Sequence, residues 1–139
     1  MNLSKNFTLE ELTVTKSGLP NRPTQDEINC LGLLVRNVLQ PLRDEYGKPI
    51  KVNSGFRSSL VNQSVGGAPT SQHTRGQAAD LSCEDNSELF SIIREKIEFD
   101  QLIWEGGNDV QPAWVHVSYK ISGNRGEILK MKNGNYTRI

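Results

Sequence analysis

The sequence predicts an α+β fold, an antiparallel sheet flanked by helices, and three observations predict it. One long segment carries apolar residues at three- and four-residue spacing: Ile28, Leu31, Leu34, Val35, Val38 and Leu42. Residues 99–105 and 114–119 read as strands, and Gly106-Gly107-Asn108-Asp109 between them has the composition of a hairpin turn. The helical patterns come mainly before these strands instead of alternating with them, as they would around a parallel sheet.

The elements follow in order. Thr8-Leu9-Glu10-Glu11 has the form of a capping box, so a helix is expected to start there. Gly18, Pro20 and Pro23 make residues 17–24 a loop. Thr24 is placed to cap the main helix. Pro41 lacks an amide proton and its ring crowds the preceding turn, so that helix is expected to end or kink near Leu39-Gln40. Gly47 and Pro49 introduce a strand at residues 50–54, and a glycine-rich polar loop is expected from 58 to 74. Residues 78–81 form a short strand, and Leu89, Ile93 and Ile97 mark one side of a helix over residues 88–97. The tail, with turn signals at Ser122-Gly123-Asn124 and Asn133-Gly134-Asn135, reads as a short hairpin.

The chain of 139 residues is expected to form one domain over residues 1–139. Its 16 Lys and Arg balance its 16 Asp and Glu, which argues against a nucleic-acid partner bound by bulk positive charge. No apolar run approaches the ~20 residues of a membrane span. Cys30 and Cys83 are too few for a four-thiolate metal site, and Cys30 falls in the apolar helix pattern, where a core position is expected. The first residues lack a basic stretch followed by an apolar one, so synthesis in the cytoplasm without a signal peptide is expected.

The chain has two histidines. His73 ends the polar loop, and seven residues on Asp80 interrupts an otherwise apolar strand. His116 interrupts another. A carboxylate in a buried strand costs several kcal/mol unless it is paired or coordinated. Strand alternation puts Ala78 and Asp80 on one face, and Trp114, His116 and Ser118 on one face of theirs. If those faces meet, two imidazoles and a carboxylate converge, the ligand set of a catalytic zinc site with an open position. A histidine and an aspartate on neighbouring strands can also simply pair.

Ser71-Gln72-His73-Thr74-Arg75-Gly76-Gln77-Ala78-Ala79-Asp80 closely resembles the Ser-x-His-x-x-Gly-x-Ala-x-Asp signature of the zinc D-Ala-D-Ala carboxypeptidase and L-alanoyl-D-glutamate endopeptidase family. The wider group of that family includes the hedgehog signalling domain and the lysostaphin-type endopeptidases. Ser54-Gly55-Phe56-Arg57-Ser58, Phe99-Asp100-Gln101-Leu102-Ile103 and Trp114-Val115-His116-Val117-Ser118-Tyr119 resemble further stretches of the family, in the same order. Four motifs in order are more specific than any one of them.

The resemblance implies a hedgehog/D-Ala-D-Ala-peptidase-like fold with Zn²⁺ held by His73, Asp80 and His116. Neutral imidazoles and a carboxylate suit that ion. It implies a metal-activated water attacking a peptide carbonyl, and an acidic general base. Some members of the family carry that acid three residues before the last histidine, where this chain has Ala113. Glu105 and Asp109 are the nearest acids. Glu105 is preferred, because it ends the strand expected beside His116, while Asp109 lies in a turn, an ordinary place for an aspartate.

Arg57 resembles the family arginine near the scissile bond, implying a role in catalysis or in holding a substrate carboxylate. Ser71 resembles a serine that contacts substrate, and can equally shape the loop before His73. Gly76 is expected to let the backbone turn between two ligands, and Trp104 and Trp114 to serve as core or groove wall. Asn124-Arg125 resembles a family feature to which no role is attached.

The implied activity is a zinc metallopeptidase acting on peptidoglycan stem peptides, as an L-Ala-D-Glu endopeptidase or a D-Ala-D-Ala carboxypeptidase. A monomer of the single-domain phage-lysin kind is expected, reaching the cell wall, and the periplasm, on release. Two other readings stand beside it. Ala113 motivates a non-catalytic peptidoglycan-binding or structural module on the same fold. A cysteine nucleophile at Cys83 or Cys30 would need a histidine as its base, which breaks the three-ligand set.

Overall fold

The structure, a computed structural model, describes residues 1–139. Thr24 and Glu27 form a reciprocal capping box at the start of α1 (Gln25–Leu34). The helix does not stop at Pro41. It widens into a π-helical stretch over Val35–Leu39 and continues as α2 (Gln40–Tyr46). Pro41 has no N–H to offer the carbonyl four residues back, and the wider turn makes room for its ring. Gly47, in the left-handed conformation, ends the helix.

The first predicted helix is a single 3₁₀ turn, Glu11–Thr13, although the Thr8–Glu11 capping bonds do form. The predicted loop over residues 58–74 contains α3 (Ser59–Ser64), capped by Ser58, and a second 3₁₀ turn, Gln72–Arg75. The last helix, α4 (Asn86–Lys96), is capped by Asp85.

Six strands form one sheet in the order β1-β2-β4-β3-β5-β6. They are β1 (Lys51–Ser54), β2 (Ala78–Ser82), β3 (Gln101–Glu105), β4 (Trp114–Ser118), β5 (Glu127–Lys132) and β6 (Asn135–Arg138). The β3–β4 hairpin is antiparallel, as expected. The sheet as a whole is mixed, not purely antiparallel, because β5 runs parallel to β3. The chain reverses after β4 and lays β5 on the far edge of β3, so two reversals restore the direction of β3. Ser122-Gly123-Asn124 therefore lies in this crossover and not in a hairpin. Asn133 and Gly134, at φ 53 and 78, turn β5 into β6.

The crossover is tied to a buried acid. Asp100 is fully buried and accepts bonds from the Arg125 backbone N–H, Nε and a terminal nitrogen, the last at 2.8 Å. Asn124-Arg125 thus gains a structural explanation.

One face of the sheet is sealed. Ala79, Leu81, Leu102, Val115 and Val117 are inaccessible to solvent and join Leu31, Leu34, Val35, Leu42, Leu89 and Ile93 in one core cluster. Trp104 packs there too, edge to face on Phe90 at 5.2 Å. Cys30 and Cys83 are free and only half-buried, so Cys30 is not a core residue. The opposite face holds a cleft.

Candidate metal centre

Three elements carry His73, Asp80 and His116 to one point. Asp80 on β2 and His116 on β4 are directly paired residues of adjacent antiparallel strands, so their side chains leave the same face together. His73 arrives from the 3₁₀ turn before β2. Gly76, at φ +74, ends that turn, and a Cβ there would sit 2.5 Å from the Glu27 carbonyl oxygen. Asp80 Oδ1 lies 3.0 Å from His116 Nδ1 and 3.3 Å from His73 Nε2. One donor atom from each of the three residues lies within 4.8 Å of the others.

The cluster fits a metal on its own chemistry. His73 Nδ1 donates to the Gly55 carbonyl at 2.7 Å, which leaves a lone pair on Nε2 of the neutral ring. That lone pair faces a carboxylate oxygen. Two acceptors in contact require a cation between them, a proton in the metal-free protein or a metal ion in its place, and nitrogen, nitrogen and oxygen donors suit Zn²⁺. Burial opposes the charge on Asp80, but hydrogen bonds to His116 and His73 outweigh it and hold the carboxyl far below the usual carboxylate range.

Gly55 matters here by its size. A Cβ on it would stand 2.4 Å from the Leu12 carbonyl oxygen, so a larger residue would displace the carbonyl that orients His73. Two residues on, Arg57 donates from Nε to Ser54 at 3.0 Å and from a terminal nitrogen to Asp80 Oδ2 at 3.2 Å. Its other terminal nitrogen reaches Asn62 Oδ1 at 3.4 Å. Arg57 thus fixes the second oxygen of Asp80, while part of its guanidinium lines the cleft. The Ser71 hydroxyl accepts from the His73 amide at 3.2 Å, so it does shape the turn, and it borders the cleft as well.

The cleft measures about 670 Å³ and is lined by Arg57, Ser71, His73, Asp80, His116 and Glu105, among others. Glu105 pairs with Trp114 across the β3–β4 hairpin, and its backbone carbonyl accepts from the Ala113 amide at 2.9 Å. The hairpin thus places an acid on β3 beside the position where Ala113 lacks one. Glu105 is 6% exposed, its side chain takes no hydrogen bond from the protein, and burial raises its pKa. Asp109 is elsewhere: exposed, and ion-paired with Lys130. Trp114 forms part of the groove wall.

Sequence reasoning missed Leu129, Met131 and Tyr136 and attached no role to Arg125, and all four also border the cleft. The period-2 alternation of β5 was the available signal. It could not be used without knowing that β5 joins β3 in parallel.

A buried histidine–aspartate–histidine cluster in a cleft, with an unpaired acid beside it, on a mixed sheet backed by helices, defines a metal-dependent hydrolase class of site. The sequence profile of the family described as Peptidase M15 matches residues 5–118. The chain belongs to that family. It is also 57% identical over 44 residues to the zinc D-Ala-D-Ala carboxypeptidase of Streptomyces albus G, a stretch that is 31% of this chain and 17% of that protein. The chain therefore spans only about a sixth of that relative in the match. Family and relative imply zinc as the metal, and the His73–Asp80–His116 cluster fits it.

Proposed function

We propose that this chain is a zinc peptidase that hydrolyses a peptide bond in peptidoglycan stem peptides, of the L-Ala-D-Glu endopeptidase or D-Ala-D-Ala carboxypeptidase type. The observation that carries the reading is the shared cleft: three metal-donor residues and an unpaired buried carboxylate, Glu105, on one face of the sheet. His73, Asp80 and His116 are the ligands. Zinc bound there would polarise the carbonyl and make water acidic enough to ionise near neutral pH. Glu105 takes the proton of the attacking water and hands it to the leaving amine as the C–N bond breaks. Its environment favours this, because burial makes the carboxylate a stronger base. Arg57 holds Asp80 in place and turns its remaining N–H groups toward the substrate carbonyl or carboxylate. Ser71 stands where it can contact the bound peptide.

The test is digestion of purified peptidoglycan, with the released muropeptides identified by mass. Cleavage should stop with a chelator and return with added Zn²⁺. Product masses assign the bond. A zinc-loaded protein that releases nothing would sink the hydrolase and leave a binding module.

A further inference from the structure

The family match ends at residue 118, and β5 and β6 lie beyond it. Successive residues of β5 alternate between the two faces of the sheet. Ile128 packs against the core, and Lys130 sits 5.6 Å over the Trp104 ring. Leu129 and Met131 face the other way, into the cleft. Met131 is aligned with Glu105 in the parallel β3–β5 register and with Tyr136 in the β5–β6 register. Met131 and Tyr136 thus extend in a row from the candidate base, and Leu129 adjoins Met131 along β5. Tyr136 remains 56% exposed, so its ring serves as cleft wall and not as core. Its hydroxyl is pushed above the usual phenol range, by burial first and then by the negative charges of Glu105 and Asp80.

We propose that the C-terminal hairpin is part of the binding site: Leu129, Met131 and Tyr136 form an apolar shelf that receives the methyl group of the alanine on the carbonyl side of the scissile bond. The identity of the occupant rests on the stem-peptide reading above. Both candidate bonds, L-Ala-D-Glu and D-Ala-D-Ala, place an alanine at that position, so the shelf serves either. Tyr136 is a positioning and specificity residue, and the chemistry stays with Glu105 and the metal ligands.

The test separates this proposal from the hydrolase itself, because it reads binding. Zinc-loaded Glu105→Gln protein is titrated by calorimetry with the synthetic stem peptide L-Ala-D-Glu-L-Lys-D-Ala-D-Ala, and with two analogues carrying glycine for the first or the fourth residue. One analogue should bind about three- to fivefold more weakly, the worth of one buried methyl group. Adding Tyr136→Ala should erase that difference, and Tyr136→Phe should restore it. Zinc content and Tm should be the same in all three proteins. Discrimination that survives Tyr136→Ala overturns the shelf, as does a parent protein that binds both analogues as well as the alanine peptide or binds none of them. If the wild-type protein cuts no peptidoglycan while the discrimination appears and vanishes as described, the shelf stands and the hydrolase falls.

Discussion

Asp80 and Leu81 are neighbours in the chain and opposites in the molecule. Leu81 is sealed between the sheet and the helices, while Asp80 faces the cleft with two histidines and an arginine on its carboxylate. The same contrast runs across the sheet: Val115 and Val117 against His116, Leu102 and Trp104 against Ile103 and Glu105. A two-residue period divides each strand into a half that holds the fold together and a half that is free to do chemistry. The rigidity of the second half is borrowed from the first. A one-residue slip of β2 against β4 would bury the acid under the helices and expose a leucine.

Substituting the two neighbours separately is the sharpest way to break that comparison, and the largest effect is expected on the cleft side. Asp80→Ala should abolish stoichiometric zinc, read by elemental analysis, and peptidoglycan cleavage with it. Full zinc retention would mean that Asp80 is not a ligand and that its carboxylate only pairs with the two histidines.

Glu105→Gln comes next. It keeps the shape of the side chain and removes its basicity, so cleavage should fall by about 10²–10⁴-fold with zinc content unchanged. Unchanged turnover would move the base elsewhere.

On the covered face, Leu81→Ala should cost about 2–5 kcal/mol of unfolding free energy, read by denaturant titration, while the folded fraction still binds zinc. Loss of zinc from the folded fraction would show that the two faces are not separable.

How much of this was legible in the sequence follows from the range of the signals. The motif from Ser71 to Asp80 and the histidine in β4 are short-range patterns, and the structure brings those side chains to one point. Glu105 was reachable because hairpin pairing between β3 and β4 is local. The parallel β3–β5 pairing depends on a crossover around the buried Asp100, which no local pattern announces, so Tyr136 and Met131 stayed hidden. Pro41 is a different kind of failure. The rule that proline breaks a helix is local, but here the apolar face from Leu31 to Leu42 is buried against the core, and that packing favours a widened turn over an end.

The crossover makes a milder pH prediction. Hydrogen bonds from Arg125 outweigh burial and lower the Asp100 carboxyl to about 2, below its unfolded value. A depressed folded pKa contributes stability that is present above the unfolded pKa and is lost as pH falls through the folded one. Unfolding free energy should therefore drop by about 1–2 kcal/mol between pH 4 and pH 2, after allowance for solvent around Arg125. Arg125→Ala should remove most of that slope. A slope unchanged in the variant would assign the acid sensitivity to other carboxylates.

The smallest expected effect is the one that decides between the two acids the sequence offered. Asp109 follows Glu105 by four residues, but the strand ends between them, and Asp109 is exposed and ion-paired with Lys130. Lys130 in turn lies over Trp104, on the helix-covered side of the sheet and away from the cleft. Asp109 is thus held by a lysine on the sheet face opposite the metal donors, and neither residue lines the cleft. Asp109→Asn should leave zinc content, Tm and cleavage rate unchanged, because an exposed ion pair adds little and a screened carboxylate there cannot reach the attacking water. A large loss of cleavage in Asp109→Asn, with Glu105→Gln tolerated, would reverse the assignment and require the turn over residues 106–113 to fold inward when substrate binds.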